Sequence, residues 1–142
     1  MVRNIDGHGL VMLRQHIDIA VISGRSSKAV SERMGQLGIE RVYQGQRNKM
    51  PAFEELLRDV GVASENVCYV GDDIPDLVLM KRVGLPIAVA NGVPQVREAA
   101  RWVTRAGGGH GAVREVCELI LRARGEFEAM IDGARDLADS NV

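Results

Sequence analysis

The chain has 142 residues, of which 46% are hydrophobic and 26% charged, enough apolar material for one compact domain and too much for a disordered segment. Eighteen Lys and Arg against nineteen Asp and Glu give a formal net charge of −1, and aromatic residues make up only 4%. The chain has no block of basic residues and few aromatic residues for stacking. We therefore do not expect it to bind nucleic acid or anionic membranes.

No run is apolar enough for a signal peptide or a membrane span, so we expect a cytoplasmic protein. Cys68 and Cys117 lie far apart in apolar runs, without a second Cys or a His at metal-ligand spacing. The interpretation is two small buried thiols and no zinc site.

Short apolar runs alternate with amphipathic stretches along the chain, a pattern typical of α/β proteins with a parallel sheet. Three of the runs lack polar alternation, as expected for strands that helices cover on both faces. The predicted strands are 17–22, 40–45, 66–71, 85–90 and 101–104. Helices are predicted over 27–38, 48–61, 74–84 and 93–100, and glycines 38, 61 and 84 suit helix C-termini.

The last clear helix is predicted to begin near His110, with Val113, Val116, Cys117, Ile120 and Leu121 on one face. After Gly125 the pattern weakens, and we expect a short helix that fades into disorder. The sequence therefore predicts one α/β domain over 1–125 and a C-terminal tail over 126–142.

The segment VCYVGDDIPD (67–76) carries the strongest chemical signal. An apolar strand runs into Gly71, and three carboxylates follow, those of Asp72, Asp73 and Asp76. Ligands bind at the carboxyl ends of strands in open parallel sheets, and clustered carboxylates there need a cation or hydrogen-bond donors. Helix capping explains one Asp of the three. We interpret the set as a site for a hard cation, Mg²⁺ before Ca²⁺.

The segment IAVISGRSS (19–27) predicts an anion site. A buried strand ends at Ser23, Gly24 and Arg25, and a helix then opens. A hydroxyl, backbone N–H groups and a helix N-terminus together favour a phosphate, and a guanidinium adds a charged donor. Alone, the motif is better explained by a Ser-capped helix; beside an acidic metal cluster it indicates phosphate binding.

Lys49, in QGQRNKMPAF (44–53), lies at the start of a helix that follows a strand. A lysine there can neutralise a phosphate and an acidic side chain at once. A solvated surface lysine is the alternative that the sequence leaves open.

The order of these motifs, hydroxyl, lysine and then Gly-Asp-Asp-x-x-Asp, resembles the haloacid dehalogenase superfamily of phosphohydrolases. The segments IDGHGLVMLR, ISGRSSKAVSERMGQLGI, VYQG, YVGDDIPDLVLM, GLPIAVANGVP and AGGGHGAVREVCELIL resemble the branch that hydrolyses a phosphorylated sugar acid of lipopolysaccharide biosynthesis. The resemblance runs from Ile5 to Gly125. It implies a three-layer, Rossmann-like parallel sheet with helices on both faces.

The resemblance also implies roles for single residues. Asp72 would be a direct Mg²⁺ ligand, and Asp73 and Asp76 would hold the metal's waters and neighbouring groups. Lys49 would restrain charge on nucleophile and phosphate. Ser23, Gly24 and Arg25 would bind phosphoryl group and substrate, and His110 and Arg114 would contact substrate across a subunit boundary in a homo-oligomer, commonly a tetramer. A Gly-rich turn and a solvated helical turn explain His110 and Arg114 equally well.

One part of the superfamily's pattern is missing. Its nucleophile and general acid–base lie in a strand ending Asp-x-Asp-Gly, and no such motif occurs in this sequence. Asp6 is a poor substitute, because an Asp nucleophile must be aimed by a rigid strand. We therefore expect little turnover if the chain acts alone. A non-catalytic assembly domain is the alternative; a phospho-acceptor receiver domain is disfavoured because Lys49 precedes Asp72.

The missing strand is central in the superfamily, between the strands predicted at 17–22 and 66–71. Its removal leaves roughly ten backbone groups unpaired, at about 1–3 kcal/mol each if buried. We therefore expect the gap to be closed, by direct pairing of the two strands, by a strand from another chain, or by further sequence of a longer product.

Overall fold

The computed structural model describes the backbone of residues 4–140 and the side chains of these residues except 4–6, 130, 134 and 136–140. Seven helices and five strands alternate through most of this range, and two short 3₁₀ turns lie at Ser64–Asn66 and Ile74–Asp76. In chain order the elements are α1 (Asn4–Leu13), β1 (Ala20–Ile22), α2 (Lys28–Gln36), β2 (Arg41–Tyr43), α3 (Met50–Val60), β3 (Cys68–Gly71), α4 (Leu77–Met80), β4 (Leu85–Ala88), α5 (Pro94–Ala99), β5 (Trp102–Val103), α6 (Ala112–Ala123) and α7 (Phe127–Ser140).

All the strand pairs are parallel, which confirms the predicted α/β class with helices on both sides of the strands. Among the described residues the strands form two half-sheets, one of order β1-β2 and one of order β3-β4-β5. Strand β1 pairs with β2 only, and β3 with β4 only. Direct pairing of β1 with β3, one of the three expected ways to close the gap, is therefore wrong.

We call the side of β1 away from β2, and the side of β3 away from β4, the open edges. Burial agrees with this arrangement: all three residues of β1 are half-buried, whereas Pro86, Ile87 and Ala88 of β4 are buried. A strand with neighbours on both sides is covered more fully than one with a single neighbour. The parallel sheet is therefore interrupted between these two open edges.

Three apolar clusters form the core. The largest lies among α1, α2, α6 and α7, and its buried members are Leu10, Leu13, Met34, Leu37, Ile39, Cys117, Leu121 and Phe127. The second contains Phe53, Leu79 and Val83, and the third contains Met80, Ala88 and Val96. Ile22 of β1 and Tyr69 of β3 both pack against the second cluster, so this cluster, which contains Phe53 of α3, bridges the two half-sheets.

Two predicted helix ends differ from the structure. Gly84 has no positive φ, and α4 ends at Met80, so Gly84 is not a helix cap. A Cβ at Gly84 would lie 1.9 Å from the Glu65 carbonyl oxygen, so a close approach of two backbones requires this glycine. The segment after Gly125 forms α7 over 14 residues rather than a short fading helix; residues 141–142 lie outside the described residues.

Cys117 is buried as predicted, whereas Cys68 is only half-buried; among the described residues neither cysteine forms a disulfide. Burial raises the pKa of the Cys68 thiol to about 11, so it stays protonated near neutral pH. None of the described helices is both long and apolar enough to cross a bilayer.

Candidate functional site

All the predicted site residues except His110 and Arg114 lie in three loops that follow strands. The loop after β1 contains residues 23–27, the loop after β2 contains residues 44–49, and the loop after β3 contains residues 72–76. Parallel strands present such loops at the carboxyl edge of a sheet, where ligands bind in open α/β folds.

The loop after β3, which we call the acidic loop, is folded around one buried carboxylate. Asp76 is only 3% exposed, and its Oδ2 accepts hydrogen bonds from the backbone N–H groups of Asp72 (2.9 Å) and Asp73 (3.1 Å). Asp73 in turn accepts from the Ile74 N–H, so the two side chains form a reciprocal capping box. Gly71 permits the tight turn, since a Cβ there would lie 2.8 Å from the Asp76 Cβ.

Two side chains from elsewhere reach the other oxygen of Asp76. Lys49 Nζ lies 2.6 Å from Asp76 Oδ1, and the Tyr69 hydroxyl donates to the same oxygen at 2.5 Å. Burial by itself would raise the pKa of Asp76, but the hydrogen bonds from Lys49, from Tyr69 and from the two backbone N–H groups outweigh it and lower that pKa to about 2. Asp76 is therefore a carboxylate with both oxygens occupied, available to position its neighbours.

Lys49 provides a second link between the half-sheets. It lies just before α3, in the loop after β2, and its side chain is only 12% exposed. Its ammonium bonds to Asp76 and, at 3.3 Å, to the Tyr69 hydroxyl, both on the β3 side. The alternative of a solvated surface lysine is therefore wrong, because the acidic loop takes this lysine out of solvent.

Asp72 has a different environment from its two acidic neighbours. It is exposed, and its backbone N–H donates to Asp76 Oδ2. Burial of part of the side chain, followed by the nearby Asp76 carboxylate, raises the pKa of Asp72. The repulsion between the Asp76 and Asp72 carboxylates favours a cation bound beside Asp72.

The donor set at Asp72 fits a hard cation held mainly by water. Among the described residues no three His, Cys, Asp or Glu side chains converge to hold a metal ion. Mg²⁺ needs no such group, since it keeps several waters and is bound through one or two carboxylates together with a ligand's phosphate. Asp72 can serve as that single carboxylate, whereas a Zn²⁺ site takes three or four protein ligands, usually including His or Cys.

Hydrogen bonds hold the loop after β1 against the loop after β2. The Gln46 N–H donates to the Ser23 carbonyl (2.9 Å), and the Gly45 N–H donates to the Arg25 carbonyl (3.1 Å). The Gln44 side chain accepts from the Ser27 N–H (2.7 Å) and donates to the Ser31 hydroxyl. The loop that contains Ser23 is thus hydrogen-bonded to the loop that contains Lys49. Lys49 in turn connects to the acidic loop, which contains Asp72.

The Ser23 loop itself has the geometry of a turn into a helix. The Arg25 N–H donates to the Ser23 Oγ (3.2 Å), and Ser27 caps α2 by accepting from the Val30 N–H. Gly24 and Arg25 are exposed. A Cβ at Gly24 would meet only the Gln46 carbonyl oxygen, at 3.6 Å, so this glycine has no steric necessity within the chain.

The Gly-rich segment before α6 is fastened to the same edge. The Glu115 carboxylate accepts from the N–H groups of Arg105 (2.9 Å) and Ala106 (3.0 Å), and Asn91 Oδ1 accepts from the Gly108 N–H (2.8 Å). The Val93 N–H donates to the Asp72 carbonyl at 3.0 Å, so these loops reach the acidic loop. This network connects the Gly-rich segment, through the loop that contains Asn91 and Val93, to the acidic loop.

His110 and Arg114 differ in surroundings. His110 is exposed at the end of this segment. Arg114 pairs with Glu118 at 2.8 Å and packs against α1, where a Cβ on Gly9 would lie 2.9 Å from the Arg114 Cδ. These contacts favour a packing role for Arg114 within the chain; substrate contact by either residue stays a prediction.

Sequence reasoning missed two residues of this site. Both residues fall within predicted strands, Tyr69 in 66–71 and Gln44 in 40–45, so sequence reasoning does not single out their polar groups. Two signals could have identified them. One is a strand hydroxyl three residues before the acidic loop, and the other is an amide side chain at the point where a strand ends. Asp6 lies within helix α1, not at the end of a strand.

Comparisons with known proteins agree with this geometry. Residues 26–115 match the family model described as haloacid dehalogenase-like hydrolase. The 3-deoxy-D-manno-octulosonate 8-phosphate phosphatase of Escherichia coli strain K12 is 48% identical over 124 residues, which are 87% of this chain and 66% of that protein. The chain thus spans slightly less than two thirds of the length of this curated relative.

Solved structures of such phosphatases share the fold. That from Moraxella catarrhalis, a complex with a magnesium ion, a phosphate ion and a KDO molecule, matches 91% of this chain and 75% of its own, with a TM-score of 0.88 and 44% identity. That from Yersinia pestis matches 89% and 69%, with a TM-score of 0.86 and 44% identity. Because the family model matches more than half of the chain and these relatives are more than 40% identical to it, the chain belongs to the haloacid dehalogenase-like hydrolases.

Proposed function

We propose that the chain is the metal- and phosphate-binding portion of a Mg²⁺-dependent phosphomonoester hydrolase that acts on a phosphorylated sugar acid of lipopolysaccharide biosynthesis. The observation that carries this proposal is the buried Lys49–Asp76 pair, which joins the phosphate-binding side of the fold to the acidic loop under Asp72. The relatives supply the substrate class, 3-deoxy-D-manno-octulosonate 8-phosphate.

In this proposal Asp72 is the protein's ligand to Mg²⁺, and Asp73 and Asp76 hold the loop that presents it. The Ser23 hydroxyl and the Gly24 backbone bind the phosphoryl group, and Arg25 reaches the rest of the substrate. Lys49 keeps one N–H for the phosphate while Asp76 fixes its position. When bound, Mg²⁺ supplies Lewis-acid neutralisation of the phosphoryl oxygens. Phosphoryl transfer depends mainly on such positioning and charge neutralisation.

The aspartate nucleophile that the superfamily requires has no counterpart in the three loops described above. A strand placed between the open edges would carry its last residues toward the loops that hold Ser23 and Asp72. We therefore expect little turnover from the 142 residues by themselves, and turnover when such a strand is supplied. The chain is further expected to form a homo-oligomer, a tetramer by resemblance, in the cytoplasm.

Calorimetric titration tests the binding part of the proposal. We expect Mg²⁺ to bind the chain, and inorganic phosphate to bind more tightly when Mg²⁺ is present. Asp72→Asn should abolish Mg²⁺ binding, because it removes the ionised ligand. Asp59→Asn, at an exposed position of α3, is the matched control and should leave binding unchanged. Absence of Mg²⁺ binding by the unaltered chain would favour the alternative, a non-catalytic assembly domain.

A phosphate-release assay tests the catalytic part. The chain is mixed with Mg²⁺ and 3-deoxy-D-manno-octulosonate 8-phosphate, and free phosphate is followed. We expect no release above background. Release that Asp6→Ala abolishes would restore Asp6 as the nucleophile, and release that survives this substitution would place the nucleophile elsewhere in the chain. Light scattering on the same preparation measures the oligomeric state.

A further inference from the structure

Tyr69 stands out because its hydroxyl is a strong hydrogen-bonding group on strand β3, whose other residues are Cys68, Val70 and Gly71. Its ring packs against both the second and the third apolar clusters, so its body is part of the core. Its hydroxyl emerges from that core beside Lys49 and Asp76, and bonds to both. Packing thus fixes the ring, and the ring fixes the place of the hydroxyl.

The hydrogen-bonding positions of the Asp76 carboxylate and of the Tyr69 hydrogen are all in use. Asp76 has four acceptor positions, and Lys49, Tyr69 and two backbone N–H groups use them. The Tyr69 hydroxyl has one hydrogen, which goes to Asp76, and a lone pair that receives an N–H of Lys49. Burial, and then the adjacent Asp76 carboxylate, raise the pKa of Tyr69, so the hydroxyl keeps its hydrogen.

The ammonium of Lys49 has three N–H groups, and two of them are used. One goes to Asp76 Oδ1 at 2.6 Å and one to the Tyr69 oxygen at 3.3 Å. These two bonds from neighbouring atoms fix the rotation of the ammonium about its Cε–Nζ bond. With Tyr69 absent, Asp76 alone would hold the ammonium, and the direction of the remaining N–H would no longer be set.

We propose that Tyr69 is a positioning residue for Lys49, and that its hydroxyl orients the ammonium so that the third N–H is presented to an anionic ligand. This inference deepens the proposed function and rests on it only for the identity of the ligand, a phosphate. The orientation of Lys49 is a property of the free chain and can be measured without any ligand.

The test compares Tyr69→Phe with Tyr43→Phe. Phenylalanine keeps the ring that fills the core and removes only the hydroxyl. Tyr43 is the chain's other tyrosine, at the end of β2, so the same substitution there is a matched control. Unfolding midpoints of both variants establish that they are folded.

The first readout is the ¹H–¹⁵N spectrum of the lysine ammonium groups in the ligand-free chain, which has three lysines, Lys28, Lys49 and Lys81. Lys28 and Lys81 are exposed, so we expect only Lys49 to give a slowly exchanging signal. Tyr69→Phe should shift this signal and speed its exchange by about tenfold, the effect of losing one hydrogen bond to a charged group. An unchanged signal would overturn the proposal, whatever the ligand.

The second readout is the affinity for inorganic phosphate in the presence of Mg²⁺. We expect Tyr69→Phe to weaken it by about tenfold and Tyr43→Phe to leave it unchanged. In a Lys49→Met background Tyr69→Phe should have no further effect, because the residue acts through the lysine. Equal losses with and without Lys49 would contradict the positioning role. If the unaltered chain binds no phosphate, yet Tyr69→Phe still changes the Lys49 signal, the proposed function is rejected and the inference is retained.

Discussion

Three aspartates within five residues, Asp72, Asp73 and Asp76, have three different environments. Asp76 is buried with four donors, Asp73 is exposed and caps the following turn, and Asp72 is exposed with its pKa raised by burial of part of its side chain and by the Asp76 carboxylate. The first two therefore build the loop, and the third is left for a ligand. The three are the same residue type, so the sequence does not distinguish their roles. The roles differ because each carboxylate accepts hydrogen bonds from different N–H groups.

The buried Asp76 carboxylate predicts a pH dependence of folding stability. Its pKa is lowered from 3.8 to about 2 in the folded chain, so the unfolded chain takes up the proton first. Its stabilising contribution is complete above about pH 4 and is lost as the pH falls through 2, a change of about 2 kcal/mol. Urea unfolding of the chain and of Asp76→Asn between pH 6 and pH 2 measures it. The difference in stability between the two should shrink below about pH 4; a constant difference would contradict this account.

At the level of elements, the open edges of β1 and β3 are the main departure from a continuous sheet. N–H groups along a strand alternate between its two sides. The Ser23 N–H donates to Tyr43 of β2, so the Ile22 N–H faces the open edge of β1. The Leu85 and Val89 N–H groups donate to the Val67 and Gly71 carbonyls, so by the same alternation the Val70 N–H faces the open edge of β3.

Hydrogen exchange should reveal this alternation. We expect the Ile22 and Val70 amides to exchange at least about tenfold faster than Val21 and Ile87, which face paired strands. The four amides lie in the same two half-sheets, so the slower pair is an internal control for general opening. Equal protection at Ile22 and Val21 would mean that the open edge is covered.

Gly84 provides a second prediction at this level. Gly84→Ala should lower the free energy of unfolding by about 3 kcal/mol, because the new Cβ would overlap the Glu65 carbonyl oxygen and force the backbones apart. Gly35→Ala is the matched control, since nothing lies within 4 Å of a Cβ at that helical glycine. It should stabilise the chain by about 0.5 kcal/mol. Chemical denaturation of both variants decides; similar losses in the two would refute the steric explanation.

In the molecule as a whole, the two half-sheets meet through α3 and through the Lys49–Asp76 pair, and the candidate site takes residues from both. A ligand that contacts Ser23 and Asp72 together would therefore connect the half-sheets. This is the general consequence of a site whose loops follow strands of different half-sheets.

We accordingly expect Mg²⁺ and phosphate together to stabilise the entire chain. At about one hundred times the dissociation constant the gain should be about 2.7 kcal/mol, and chelation with EDTA should remove it. Fluorescence of Trp102 reports on the three-stranded half, and far-UV circular dichroism on all the helices. Both melting transitions should rise together, and Asp72→Asn should show neither shift. A shift in fluorescence alone would mean that the ligand binds one half-sheet only.

The sequence determined the α/β class, the parallel strands and the positions of most helices, because alternating apolar runs and amphipathic stretches are local patterns. It also placed Ser23, Lys49 and Asp72 in loops that follow strands, as the structure has them. These features need no knowledge of which strand lies beside which.

Tertiary structure alone decided the rest. The split between β1 and β3, the close approach at Gly84, and the burial that takes Lys49 out of solvent all depend on contacts between distant segments. Tyr69 gained its role in the same way, because the hydroxyl meets Lys49 and Asp76 only once β3 and α3 are packed. Local patterns fix what a segment is, whereas the partners of a polar group are set by the packing of segments that lie far apart in the chain.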